Sequence, residues 1–321
     1  MEPPRIGWAK VAISVGLLFW LAWIADGDAI LDQFQQVKGW YVAFGILSLW
    51  VCFAVAFWRW CLLLAATAQP VRRRDLFGLY WVGLFFNQML PTGFGGDAVR
   101  AIALTRRGYG LAGVLASTMV DRVVGLIGVV VLCLAGVAIF SASSPSLAGA
   151  VLPWLIGLLF ATVTGYLLYP RLEVLLLSRF ERALPPAWRF GFGELREAFR
   201  RLYGRRALLI NAVLLSVVSQ FFIIVTYQLV ATGMAVEVTF GTYGLMIPLV
   251  LLAQALPISI SGLGVREAAL VGVAILMGWD KQTAISLSLL FLATTWLAVL
   301  PGLAFAFYYG VSPRREQGSN V

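Results

Sequence analysis

Two short segments combine the residue types that bind anions at membrane depth. Residues 90–104 read Leu-Pro-Thr-Gly-Phe-Gly-Gly-Asp-Ala-Val-Arg-Ala-Ile-Ala-Leu, and residues 256–270 read Leu-Pro-Ile-Ser-Ile-Ser-Gly-Leu-Gly-Val-Arg-Glu-Ala-Ala-Leu. Each carries Leu-Pro, then Gly-x-Gly (Gly93 and Gly95; Gly262 and Gly264), then Val-Arg at the start of an apolar helix. Proline and glycine interrupt the backbone and release N–H and C=O groups, which is tolerated in a bilayer only where they line a cavity or are buried in protein. The helix N-termini that follow present open N–H groups and partial positive charge, so they can hold an anion such as a lipid phosphate. Arg100 and Arg266 can add forked donors to that phosphate. Asp97 and Glu267 either balance the arginines, take up protons, or cap the helices as first-turn acids commonly do. Asn87 and Gln88 before the first break, and Gln254 before the second, are candidates to satisfy freed backbone groups.

Other ionisable residues narrow the chemistry further. Asp121 and Arg122 lie about ten residues into a long apolar run, within reach of the inner interface, and are further counter-charge or proton-coupling candidates. Arg59 lies near the inner end of another apolar run, where snorkelling to headgroups is the expectation. The 321-residue chain has no histidine, so the commonest zinc ligand and the usual general base are missing. Cys52, Cys61 and Cys133 stand far apart in apolar surroundings, which provides neither a disulfide framework nor a metal-ligand spacing. Gly93 to Gly96 lacks the lysine and hydroxyl of a nucleotide P-loop, and Gly262-Leu-Gly264 lacks the third glycine and the strand of a dinucleotide fingerprint. No catalytic residue, metal or cofactor is therefore expected.

The elements that must position these residues are membrane helices. Hydrophobic residues make up 61% of the chain and charged ones 12%, too little polar surface to coat a water-soluble globule. Continuous apolar runs at 11–25, 40–66, 111–140, 151–169, 207–229 and 284–309 are each roughly long enough to cross a hydrocarbon core of about 30 Å. They do not alternate, so helices and not a barrel are implied. The first run lacks a small-x-small cleavage site and is read as a retained anchor. Tryptophans and tyrosines at Trp8, Trp40, Tyr41, Tyr308 and Tyr309 suit interface belts.

Charge predicts the topology. The net charge of +9 resides in short loops, which fits the positive-inside rule better than nucleic-acid binding. The N-terminus (Arg5, Lys10), the Arg72 to Arg74 cluster, the segment 170–206 and the C-terminus (Arg314, Arg315) should all be cytoplasmic, with 141–148 outside. Within 170–206, Leu195, Phe199 and Leu202 recur at helical spacing among arginines. That pattern suits either a helix on the anionic inner leaflet or a solvated connector. Residues 75–108 then begin and end on the cytoplasmic side, and 241–279 on the outer side. Each reads as a re-entrant hairpin of two short helices around a Pro/Gly break. Opposed hairpins in matching halves are the sign of an inverted repeat whose broken helices meet near the midplane. The expected fold is an all-α polytopic membrane protein with about six full spans and two opposed re-entrant hairpins, forming one domain over 1–321.

The stretch from Phe86 to Arg100, followed by Asp121-Arg122-Val-Val-Gly125, resembles the lysylphosphatidylglycerol synthase transmembrane family, also called the flippase-like domain family. Residues 256–267 resemble its second signature. Asp97 and Asp121 stand where that family commonly carries Glu. The resemblance implies movement of a polar or anionic lipid, a phospholipid or a polyprenyl or other polar lipid, between leaflets of the bacterial inner membrane. Because the chain stops at Val321, the soluble aminoacyl-transferase domain of multidomain members is expected to be missing. The competing readings are a membrane lipid transferase and an accessory subunit of a lipid or envelope biosynthesis complex. A transferase needs polar residues on one face, whereas a transporter needs them from both hairpins.

Overall fold

The computed structural model describes residues 25–69, 72–90, 95–140, 186–236, 239–255 and 264–311, with scattered residues within 16–24 and 149–165. They form helices α1 (Gly27–Gln36), α2 (Gly39–Ala66), α3 (Arg73–Met89), α4 (Gly95–Thr105), α5 (Leu111–Phe140), α6 (Pro186–Tyr203), α7 (Arg206–Gly233), α8 (Phe240–Ala255), α9 (Val265–Leu276), α10 (Lys281–Val299) and α11 (Pro301–Val311). Among the described residues there is no strand.

Four helical stretches among the described residues are long and apolar enough to cross a membrane: α2, α5, α7, and α10 continued through α11 to Tyr309. These are four of the expected spans; the runs at 11–25 and 151–169 fall largely outside the described residues. At 1.5 Å per residue, a 28-residue helix such as α2 is about 42 Å long, so it must tilt or extend beyond the hydrocarbon. The last span is interrupted at Leu300. Pro301 cannot continue the ladder of α10 but suits the first position of α11.

The two break regions each give a pair of short helices packed on one another, α3 with α4 and α8 with α9. The break residues themselves, 91–94 and 256–263, lie outside the described residues. Packing partners follow an internal two-fold pattern. Exchanging α2 to α5 with α7 to α10 turns α2 on α5 into α7 on α10, α4 on α5 into α9 on α10, and α8 on α5 into α3 on α10. Each half has its own core: Trp60, Leu64, Leu79, Tyr80, Leu104 and Val114 in the first, Tyr227, Val230, Met246, Leu270, Val271 and Phe291 in the second. The heavily packed pair α2 and α7 joins them, where Ser48 Oγ donates to Phe222 O at 2.8 Å. Close approach at the two matched crossings depends on glycine. A Cβ on Gly136 of α5 would collide with the Gly244 carbonyl of α8, and one on Gly302 of α11 with the Trp81 carbonyl of α3. Small residues at such crossings are how membrane helices gain packing without a hydrophobic driving force.

The Arg-rich segment does contain an amphipathic helix, α6, but its apolar face does not lie on lipid. Leu202 and Ala198 are buried, and Leu195 and Phe199 pack with them against Leu63 and Ala66 of α2, Ala116 of α5 and Ala212 of α7. The ends of the long helices offer this face protein to bury against, which replaces the leaflet contact expected for it. Glu197 and Arg201 pair at 3.2 Å on the exposed side.

Candidate functional site

The first break is fastened by Asn87. At the end of α3 its Oδ1 accepts the Gly96 N–H at 2.9 Å, satisfying a donor that the start of α4 leaves open. The approach is so close that a Cβ on Gly96 would overlap the Gly83 carbonyl and Asn87. The third and sixth residues of α4, Asp97 and Arg100, face α5. Asp97 Oδ1 accepts from Arg100 Nη2 at 3.2 Å, and its Oδ2 accepts from Arg122 Nε at 2.8 Å and from Arg122 Nη2. Arg100 Nη2 also donates to Thr118 Oγ1 at 3.3 Å. The Arg100 guanidinium lies 4.1 Å from the Trp60 ring and 5.3 Å from that of Tyr80, positions that favour a desolvated cation.

These side chains surround a cavity of about 130 Å³, partly open, lined by Tyr80, Gly83, Asn87, Asp97, Arg100, Thr118, Asp121 and Arg122. It is below the roughly 300–1,000 Å³ of pockets that enclose a drug-sized ligand. The space suits a ligand, or part of one, smaller than that.

Arg59 overturns its sequence expectation. It does not snorkel; it is 6% exposed and grips Asp121 through Nε at 2.7 Å and Nη2 at 3.0 Å. A buried charge needs a partner with good geometry, and Asp121 supplies it from 62 positions along the chain. Asp121 and Arg122, adjacent in sequence, therefore serve different partners. Thr118, Tyr80 and Trp60 also escaped the sequence reading. A lone arginine in an apolar run was the available signal for Arg59, while the other three look like ordinary packing residues.

The second motif is built differently. Gly264 has φ +82°, a left-handed conformation that side chains disfavour. Its N–H donates to Glu267 Oε2 at 2.7 Å. Glu267 Oε1 accepts from Arg266 Nε at 3.0 Å and Nη2 at 2.6 Å. Glu267 is 1% exposed and Arg266 6%. Above them Phe291 lies 5.4 Å from the Arg266 guanidinium and stacks on Tyr227. Both acids are third in their helices, but Arg266 is second in α9 where Arg100 is sixth in α4. Equal spacing from Leu-Pro thus becomes unequal helical position, because α9 begins later relative to its motif. α4 packs on α3 and α5, and α9 on α8 and α10. The cavity lining among the described residues contains neither Arg266 nor Glu267. Gly93 and Gly262 lie outside the described residues; Gly95 is buried at the start of α4.

The model of the family described as the lysylphosphatidylglycerol synthase TM region matches residues 7–302. The chain belongs to this family. The match spans both hairpin regions and all four long apolar stretches up to Gly302, so membership covers the cavity and the closed Arg266–Glu267 pair alike. No curated protein and no solved structure matches the chain. Membership establishes a membrane protein with a lipid-related role.

Proposed function

We propose that the protein is a flippase-like transporter that moves a polar or anionic lipid between leaflets of a bacterial inner membrane, with the headgroup held in the cavity between α3, α4 and α5. The observation that supports this most directly is Arg100. It is a nearly buried cation facing a headgroup-sized space inside a membrane helix bundle, and intramembrane charges are costly enough to be kept chiefly for function. Family membership supports a lipid as the ligand. Arg100 and Arg122 are the headgroup ligands in this reading. Asp97 and Asp121 are counter-charges, and Asn87 sets the approach of α4 to α3. Arg266 and Glu267 hold the start of α9.

The cavity draws on the first hairpin and α5, with no lining residue from the second hairpin among the described residues, which also fits a one-sided lipid transferase. Its carboxylates are both engaged by guanidinium groups, so neither acid is free to serve as the base that would activate a hydroxyl nucleophile. Of the two hydroxyl side chains lining it, Tyr80 and Thr118, Thr118 Oγ1 already accepts from Arg100 Nη2. Transport without covalent chemistry is therefore the preferred reading.

Headgroup-labelled phospholipid in proteoliposomes, read by leaflet-specific quenching and normalised to folded protein, is the test. Arg100→Ala should slow translocation at least about tenfold, the worth of one charge-assisted contact. Arg100→Lys should fall between, since it keeps charge but loses the planar fork. Wild-type rates in a stably folded Arg100→Ala protein would remove the headgroup role of this cavity.

A further inference from the structure

The unsatisfied groups around the cavity are of one kind. Arg100 Nε, Arg59 Nη1 and Trp60 Nε1 are buried N–H donors without hydrogen-bond partners. Arg100 lines the cavity, Trp60 lies beneath its guanidinium, and Arg59 stands behind Asp121. The carboxylates there are already engaged. Charge has the same sense: Arg59, Arg100 and Arg122 against Asp97 and Asp121 leaves one positive charge over. A buried donor without an acceptor is unfavourable, and the missing partner is an acceptor-rich anion. A cationic ligand would find no uncommitted carboxylate.

The two acids differ in how they are held. Asp121 has its own arginine, bound by two contacts. Asp97 is shared between Arg100 of its own helix and Arg122 of α5. One carboxylate thus occupies the place between two guanidinium groups where phosphate oxygens would make the same contacts.

We infer that Asp97 is an internal competitor for the ligand, and that the ligand is a singly charged phosphate or phosphodiester. This rests on the headgroup reading of the cavity and adds to it the ligand class and the role of Asp97. The entering phosphate takes Arg100 and Arg122 from Asp97 and supplies an acceptor to Arg100 Nε. In doing so it replaces the Asp97–Arg122 tie between α4 and α5 with its own bridge from Arg100 to Arg122, and leaves the Asp97 carboxylate without its guanidinium partners.

Calorimetry on the detergent-solubilised full chain tests this with two probes, inorganic phosphate and dihexanoyl phosphatidylglycerol, with a dihexanoyl diacylglycerol as the phosphate-free control. Asp97→Asn removes the competing charge and should tighten phosphodiester binding about tenfold, while Arg100→Gln should abolish it. Tightening towards both probes identifies a general phosphate site, and tightening towards the lipid alone a headgroup site. Unchanged or weaker binding by folded Asp97→Asn would show that Asp97 organises the arginines for the ligand, and would overturn the inference. A second measurement does not depend on that variant. Infrared difference spectra of the wild-type full chain should show a shift in the carboxylate-stretch region at saturating probe, as Asp97 gives up its guanidinium partners; an unchanged spectrum also overturns it. Neither measurement reads transport. Absent translocation with intact tightening would refute the transporter and leave the competitor standing.

Discussion

At the scale of residues, two arginines with the same sequence context have different partners and therefore different predicted behaviour. Arg100 shares Asp97 with Arg122 and retains a buried donor without a partner. Arg266 is closed on Glu267, whose other oxygen is spent on the Gly264 N–H. Arg266→Ala leaves a carboxylate that is 1% exposed without its cation, and breaking such a pair costs roughly 3–5 kcal/mol. The variant should melt well below the wild type. Adding Glu267→Gln removes the stranded charge while keeping an acceptor for Gly264, so the double variant should recover part of the loss. Thermal melting of the three proteins in detergent decides this. A single variant that melts like the wild type would return Arg266 to the list of ligand candidates.

At the scale of elements, helix ends carry much of the design. The N-terminus of α10 is capped by Asp280, whose Oδ2 accepts the Thr283 N–H at 3.0 Å. That bond holds the Asp280 carboxyl below its usual range, with the Thr283 hydroxyl and the neighbouring N–H groups assisting. A depressed carboxylate pKa adds stability that is complete above the unfolded value of about 3.9 and is lost as pH falls through the folded value. Asp280→Ala should cost about 1 kcal/mol at neutral pH, the usual worth of an N-cap. Melting curves of the two proteins should differ at pH 7 and converge as the pH is lowered below about 4. A pH-independent difference would mean that Asp280 acts through packing and not through its charge. The α6 helix illustrates the same principle in reverse: its sequence reads as interfacial, and the ends of α2, α5 and α7 take up its apolar face instead.

At the scale of the molecule, two helical halves with exchangeable packing partners meet through α2 and α7. Charge predicts that they are inverted, with both termini and residues 170–206 cytoplasmic. Substituted-cysteine labelling in a cysteine-free variant checks this. Gly318→Cys should resist an impermeant reagent added outside intact cells and react after permeabilisation, whereas Ser143→Cys should react at once. External labelling of position 318 would reverse the orientation of both hairpins. The halves also differ: the first holds a partly open cavity lined by two arginines and two aspartates, and the second a closed ion pair.

Much of this architecture follows from composition and periodicity alone. Apolar runs near the thickness of a bilayer can only be satisfied as helices, and Pro/Gly breaks inside them must be sheltered, so the class of fold and the place of both motifs were legible in the chain. Asp97, Arg100, Asp121 and Arg122 were legible too, because an ionisable group in an apolar run needs a reason. Their pairing was not. Arg59 finds Asp121, and Arg122 finds Asp97, across helices whose relative rotation no local pattern records. The difference between the motifs was hidden for a related reason. Residues equally spaced from Leu-Pro point in different directions once the helices start at different residues, since each position turns a side chain by about 100°. Local sequence settles which groups must be buried together with a partner; only the packed helices decide which partner, and whether room is left beside it for a ligand.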